Sequence, residues 1–132
     1  MYIVDVREVW LEFPALIQFI KQHFINFQGS SDSKIFVEPK ASGKSIVQQM
    51  RVETMLNIIE STPPDTDKTV RAHSNSPVLE TRRVCLVDGS YIPHYLEQVR
   101  LFPNADHDDM IDVTNIAIDE LLLATGPDFA FI

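Results

Sequence analysis

The chain has a single cysteine, Cys85, among 132 residues. One thiol closes no intramolecular disulfide and builds no cysteine-rich zinc site. Long apolar runs are missing too. None reaches the roughly 18 residues of a membrane-spanning helix, so no membrane partner is expected. Basic residues are scarce, 11 Lys and Arg against 19 Asp and Glu, for a formal charge of −8. That balance argues against a sequence-independent DNA coat or a binder of anionic membranes. It leaves room for a site built from carboxylates, where negative charge faces metal ions. The opening Met1-Tyr2-Ile3-Val4-Asp5-Val6-Arg7 has no basic stretch followed by a long apolar one. No secretory signal is therefore expected, and the cytoplasm is the expected compartment. Internal repeats and low-complexity tracts are absent.

What remains is ordinary globular material, 45% apolar and 23% charged, sized for one domain over residues 1–132. Tyr2 to Val6 is β-branched and aromatic, which predicts a strand continuing toward Trp10. From Pro14, the residues Leu16, Ile17, Phe19, Ile20, Phe24, Ile25 and Phe27 recur at three- and four-residue spacing. This predicts a helix with a broad apolar face, stopped by Gly29 to Ser33. Lys34 to Glu38 reads as a strand halted by Pro39. A helix opens at Ser42 or Gly43 and runs through Met50, and Val52 to Ile59 is expected to hold a short strand. After the loop Ser61 to Asp65, Thr66 or Asp67 can cap a helix beginning at Lys68. Arg83 to Val87 reads as a strand, Asp88-Gly89 as a turn, and Tyr91 to Phe102 as a helix with Ile92, Tyr95, Leu96 and Val99 on one side. Pro103-Asn104 breaks it, and a last helix spans Asp108 to Leu123, carrying Ile111, Ile116, Ile118, Leu121 and Leu122. Strands alternating with helices predict an α/β domain, a sheet with flanking helices.

Ala41-Ser42-Gly43-Lys44-Ser45 has the tail of a phosphate-binding loop between a strand and a helix. The loop's first glycine would fall at Glu38, followed by Pro39. A carboxylate there repels phosphate and the proline removes an amide donor, so a capped helix start is the better reading.

Two features can carry chemistry. Glu38 ends a strand, and in open α/β sheets ligands sit at the carboxyl ends of strands. His107-Asp108-Asp109-Met110-Ile111-Asp112 starts a helix. Asp109 and Asp112 are three apart and share a helical face. Asp108 can serve there or cap the first turn. Three acids and a histidine this close repel one another unless a cation with hard oxygen ligands joins them. The plainer explanation is that acids at a helix N-terminus are favoured by its dipole alone, by ~0.3–1 kcal/mol each.

At these residues the chain resembles the nuclease domain of phage terminase large subunits. Val37-Glu38-Pro39-Lys40-Ala41-Ser42-Gly43 is similar to that family's E-d-k-a-s-G segment. Phe102 to Asp112 is similar to its F-P-x-x-x-H-D-D-x-x-D-A segment, with Val113 where alanine is usual. Asp67 to Ala72 matches D-K-x-x-R-A, Arg82 to Leu86 matches g-R-V-x-L, and Trp10 to Leu16 follows w-e-F-P-e-L. The resemblance implies an RNase H-like mixed sheet and a Mg²⁺- or Mn²⁺-dependent endonuclease that cuts concatemeric viral DNA during packaging in a bacterial host. It implies catalysis by Glu38, Asp109 and Asp108, with metal held by Glu38, Asp109, Asp112 and His107. Lys40, Lys68 and Arg71 would contact double-stranded DNA; Lys68 and Arg71 serve equally well as solvated helix residues. Expected partners are the terminase ATPase domain, the small terminase subunit and the portal.

One departure stands out. The family's first acid lies on a strand upstream of the segment that opens this chain, and Asp5 does not match it. The family's first two strands are therefore expected to be missing, leaving strand edges open to self-association. A catalytically dead packaging module and another RNase H-like nuclease, such as a Holliday-junction resolvase, are the competing expectations.

Overall fold

A computed structural model describes residues 1–40, 43–62, 66–104 and 107–123. The chain divides into two compact units, one of residues 1–8 and 65–132, the other of residues 9–64. Both are mixed α/β.

The second unit runs α1 (Phe13–Asn26), β2 (Lys34–Val37), α2 (Gly43–Glu53) and β3 (Asn57–Glu60). Pro14 sits in the first turn of α1, where its missing N–H costs nothing. Strands β2 and β3 pair in parallel, Lys34 opposite Asn57 through Val37 opposite Glu60. Between them α2 makes the crossover that a parallel pair requires. Ile17 of α1, Ile46, Val47 and Met50 of α2 and Ile58 of β3 form the core, edged by Phe13, Leu16, Ile20, Ile35, Val37 and Leu56. The predicted apolar face of α1 is thus too long. Its first two turns pack, while Ile25 and Phe27 are exposed. The short strand expected within Val52 to Ile59 is present as β3, preceded by the end of α2. Val52 is exposed on α2, and Arg51 donates to the Ile58 carbonyl (3.0 Å), tying the helix end to β3. Met50 has no exposed surface. Met50→Ala should cost about 2–5 kcal/mol through the cavity it leaves, read as a lower urea midpoint with an unchanged slope.

The first unit holds β1 (Tyr2–Ile3), α3 (Lys68–Glu80), β4 (Cys85–Leu86), α4 (Ile92–Leu101), α5 (Asp109–Ile118) and a π-helical turn (Asp119–Leu123). Strands β1 and β4 pair in parallel over two residues each. The strand predicted toward Trp10 ends at Ile3, and that predicted over Arg83 to Val87 keeps only its middle. Tyr91, Tyr95 and Met110 form the core with Ile3, Val6, Leu86 and Ile92 against it. The Tyr91 hydroxyl donates toward the carbonyls of Ile3 (2.6 Å) and Val87 (2.9 Å), joining the parallel pair to the start of α4.

Asp67 caps α3 as expected, accepting from the Thr69 amide at 2.8 Å. Pro77 lies inside α3 and cannot bond the His73 carbonyl. The Ser76 hydroxyl donates to that carbonyl instead, at 2.9 Å. The buried face of α4 is Tyr95 and Gln98, not the predicted Leu96 and Val99, which are exposed. Gln98 is buried because its amide has partners on both sides. On α5 the buried residues are Met110, Ile111, Asn115 and Ile118, and the helix widens into the π turn at Asp119 instead of running regularly to Leu123.

The described strands therefore form two parallel pairs, β1–β4 and β2–β3, where one mixed sheet was expected. Among the described residues no helix is long and apolar enough to cross a membrane.

Candidate metal centre

Helix α5 opens on the acidic segment. Asp108 occupies the N-cap position, but its side chain makes no capping bond. It pairs with Lys68 of α3 instead. One turn along, Asp112 meets Arg71, also on α3, at 3.6 Å. Further along the same two faces, Asn75 donates to Asn115 (3.0 Å) and Asp119 (3.2 Å). Lys68, Arg71 and Asn75 are spaced three and four apart, as are Asp108, Asp112, Asn115 and Asp119. The two helices therefore meet along a polar seam of matched helical period.

This seam engages two of the three predicted DNA contacts. The Arg71 side chain is 8% exposed. Using it on phosphate means breaking its pair with Asp112. The Lys68 side chain is about half exposed and already engaged. Its hydrogen bond to Asp108 raises the lysine pKa, helped by the charges of Asp108, Asp112 and Asp109, against the opposing effect of burial. The folded state thus holds this proton more tightly than the unfolded chain does. The resulting stabilisation is full below the unfolded lysine value of about 10.4 and is lost as pH rises through the higher folded value. Lys68→Met should therefore be less stable than wild type at neutral pH. Denaturation at stepped alkaline pH should show the gap closing.

Asp109, the first residue of α5, is exposed. It belongs to two groups whose possible ligand atoms all lie within 4.8 Å of one another: Asp108, Asp109 and Asp112, and Glu8, His107 and Asp109. Oxygens around a magnesium-sized ion with bonds of ~2.1 Å sit about 3–4.2 Å apart. The 4.8 Å limit on both groups lies a little above that range. The three carboxylates of Asp108, Asp109 and Asp112 are hard oxygen donors, a set that fits Mg²⁺ or Mn²⁺. In the acid turn two cationic side chains, Lys68 and Arg71, face three acids.

Glu8 was not predicted. A lone glutamate between Arg7 and Val9 carries no motif, and nothing in its spacing links it to residues a hundred positions away. The fold covers most of its side chain, which is 10% exposed. Its Oε2 lies 3.0 Å from His94 Nε2 and accepts from Gln98 Nε2 at 3.3 Å.

Glu38 follows β2 in the other unit, half-buried, with Lys40 Nζ 2.9 Å from its Oε1 but out of line for a hydrogen bond. Lys40 itself is 78% exposed. The reason for glycine in the Glu38–Gly43 segment is plain. A Cβ at Gly43 would stand 2.0 Å from the Glu38 carbonyl oxygen, so only glycine lets α2 start against the end of β2. Ala41 and Ser42 of this segment, and Ala105 and Asp106 of the acidic one, lie outside the described residues. A hollow of about 460 Å³ in the second unit, lined by Phe24, Met55 and Leu56 among others, touches none of the predicted site residues.

Compared with family models, curated proteins and solved structures, the chain matches none.

Proposed function

We propose that this chain is a divalent-metal-dependent endonuclease domain of the phage terminase type, acting on double-stranded DNA. One observation carries the reading. The segment that resembles the family's H-D-D-x-x-D motif forms the first turn of a helix and gathers Asp108, Asp109 and Asp112 into one group. Asp109 is the principal ligand, with Asp108, Asp112 and His107 around it. A bound Mg²⁺ or Mn²⁺ would activate water and stabilise the leaving oxygen of the phosphodiester. The protein's own part is to hold carboxylates at fixed spacing on a rigid helix and to keep the turn intact through Lys68 and Arg71. Glu38, and the ATPase domain, small subunit and portal as partners, enter this reading through the sequence resemblance alone. So does the fold at its finer level, an RNase H-like arrangement.

A second reading is a packaging module without catalysis. The Lys68–Asp108 and Arg71–Asp112 pairs favour it, because they offset most of the acid turn's charge without an ion. Incubating the chain with linear and with branched DNA, in Mn²⁺ or Mg²⁺, separates the two. The nuclease reading expects cleavage of linear duplex that stops when the ion is chelated. No cleavage with intact ion binding supports the second reading, and preference for branched DNA supports a resolvase.

A further inference from the structure

We propose that Glu8, His107 and Asp109 form a three-ligand site for one transition-metal cation, selective for Mn²⁺ over Mg²⁺. The inference deepens the nuclease reading and rests on its use of Asp109 as a ligand. Glu8 adds what the acid turn lacks, a buried carboxylate.

The Glu8 side chain is 10% exposed. One oxygen, Oε2, is held by His94 and Gln98, which stand four apart on one face of α4. The other, Oε1, is buried with no hydrogen-bond partner. A buried carboxylate oxygen without a donor is costly. A cation relieves that cost, and the Glu8 carboxylate lies within 4.8 Å of the ligand atoms of both His107 and Asp109. With Oε2 engaged, Oε1 is the oxygen with lone pairs to give.

Gln98 ties the site together as a positioning residue. Its Nε2 donates to Glu8, while its Oε1 accepts from the Met110 amide at 3.3 Å. Met110 follows Asp109 in the first turn of α5. One buried amide therefore fixes the Glu8 carboxylate relative to the turn that carries Asp109, as residues behind metal ligands commonly do. Asp108 and Asp112 are occupied on the other side by Lys68 and Arg71. That leaves Asp109 the acid of this turn without a basic partner among these pairs.

The donor set selects the ion. Two carboxylate oxygens and an imidazole nitrogen suit a transition-metal dication. Mg²⁺ favours oxygen ligands and sheds water reluctantly.

Mn²⁺ binding to the whole chain, followed by electron paramagnetic resonance with Mg²⁺ as competitor, tests this. Wild type should bind Mn²⁺, with Mg²⁺ displacing it only in large excess. Glu8→Gln should weaken binding by about tenfold or more, and His107→Gln likewise. Asp32→Asn removes the same charge from an exposed loop and should bind as wild type does. Circular dichroism without metal shows whether Glu8→Gln folds. The exposed His107→Gln provides the reading if it does not. Wild-type affinity in the folded variants overturns the inference. If that affinity is lost in Asp109→Asn, the ion sits in the acid turn and the nuclease reading stands. A wild-type chain that binds no Mn²⁺ overturns both.

Discussion

Asp109→Asn should abolish metal-dependent cleavage of duplex DNA, by at least about a hundredfold, while leaving the fold in place. Asp109 is the one residue shared by both ligand groups, so no choice between them rescues the variant. The structural cost is small because the side chain is exposed at the first position of α5. Losing an acid there forfeits no more than about 1 kcal/mol of helix-dipole stabilisation. Removing its charge from beside Asp108 and Asp112 offsets part of that loss. Cleavage and thermal melting should therefore separate cleanly, activity vanishing with little change in melting temperature. A variant that cuts as wild type does would remove Asp109 from the chemistry.

Arg71→Met should do the reverse and strike stability. Arg71 is buried, and its partner Asp112 is partly buried on the facing helix. Methionine keeps much of the volume and removes the charge. Asp112 then stands beside Asp108 and Asp109 without its counter-ion. Breaking a buried pair from one side costs roughly 3–5 kcal/mol, and the partial exposure of Asp112 places this case at about 3. Urea denaturation should show it as a lowered midpoint. The double variant Arg71→Met with Asp112→Leu should recover part of the loss, since no charge is then left alone. If Arg71→Met alone is neutral, the Arg71–Asp112 pair contributes no stability.

These two expectations show where the sequence was readable. Local signals were sufficient for the helices. The Pro14 start, the Asp67 cap and the breaks near Gly29 and Pro103 all act within a few residues of themselves. The acid turn was legible for the same reason, since Asp108, Asp109 and Asp112 become neighbours once a helix starts there.

Pairing at long range was not legible. The dipeptide strands β1 and β4 are defined by each other, and no periodicity in two residues announces that. Polar residues in the core misled in the same way. Gln98, Asn75 and Asn115 occupy buried positions, so the apolar pattern finds Tyr95, Ile111 and Ile118 but misses the polar part of the buried faces, and on α4 it adds the exposed Leu96 and Val99. Each is tolerated because a specific partner satisfies part of its amide, a fact only tertiary structure supplies. Lys68 and Arg71 show a related limit. Basic side chains in a segment that resembles a nuclease suggest phosphate, yet both pair with acids of α5, Arg71 buried and Lys68 half exposed. Glu8 was invisible because its meaning comes from His94, Gln98 and α5 together.

Whether the start of α5 holds a divalent ion can be read directly from the amide spectrum of the isotope-labelled chain as Mn²⁺ is added below stoichiometry. The account predicts that signals from Glu8 and from His107 to Asp112 broaden first, while those at the far end of α3, Leu79 and Glu80, broaden later. Broadening that spares the α5 turn and gathers elsewhere, or spreads evenly over the acidic surface, would contradict it.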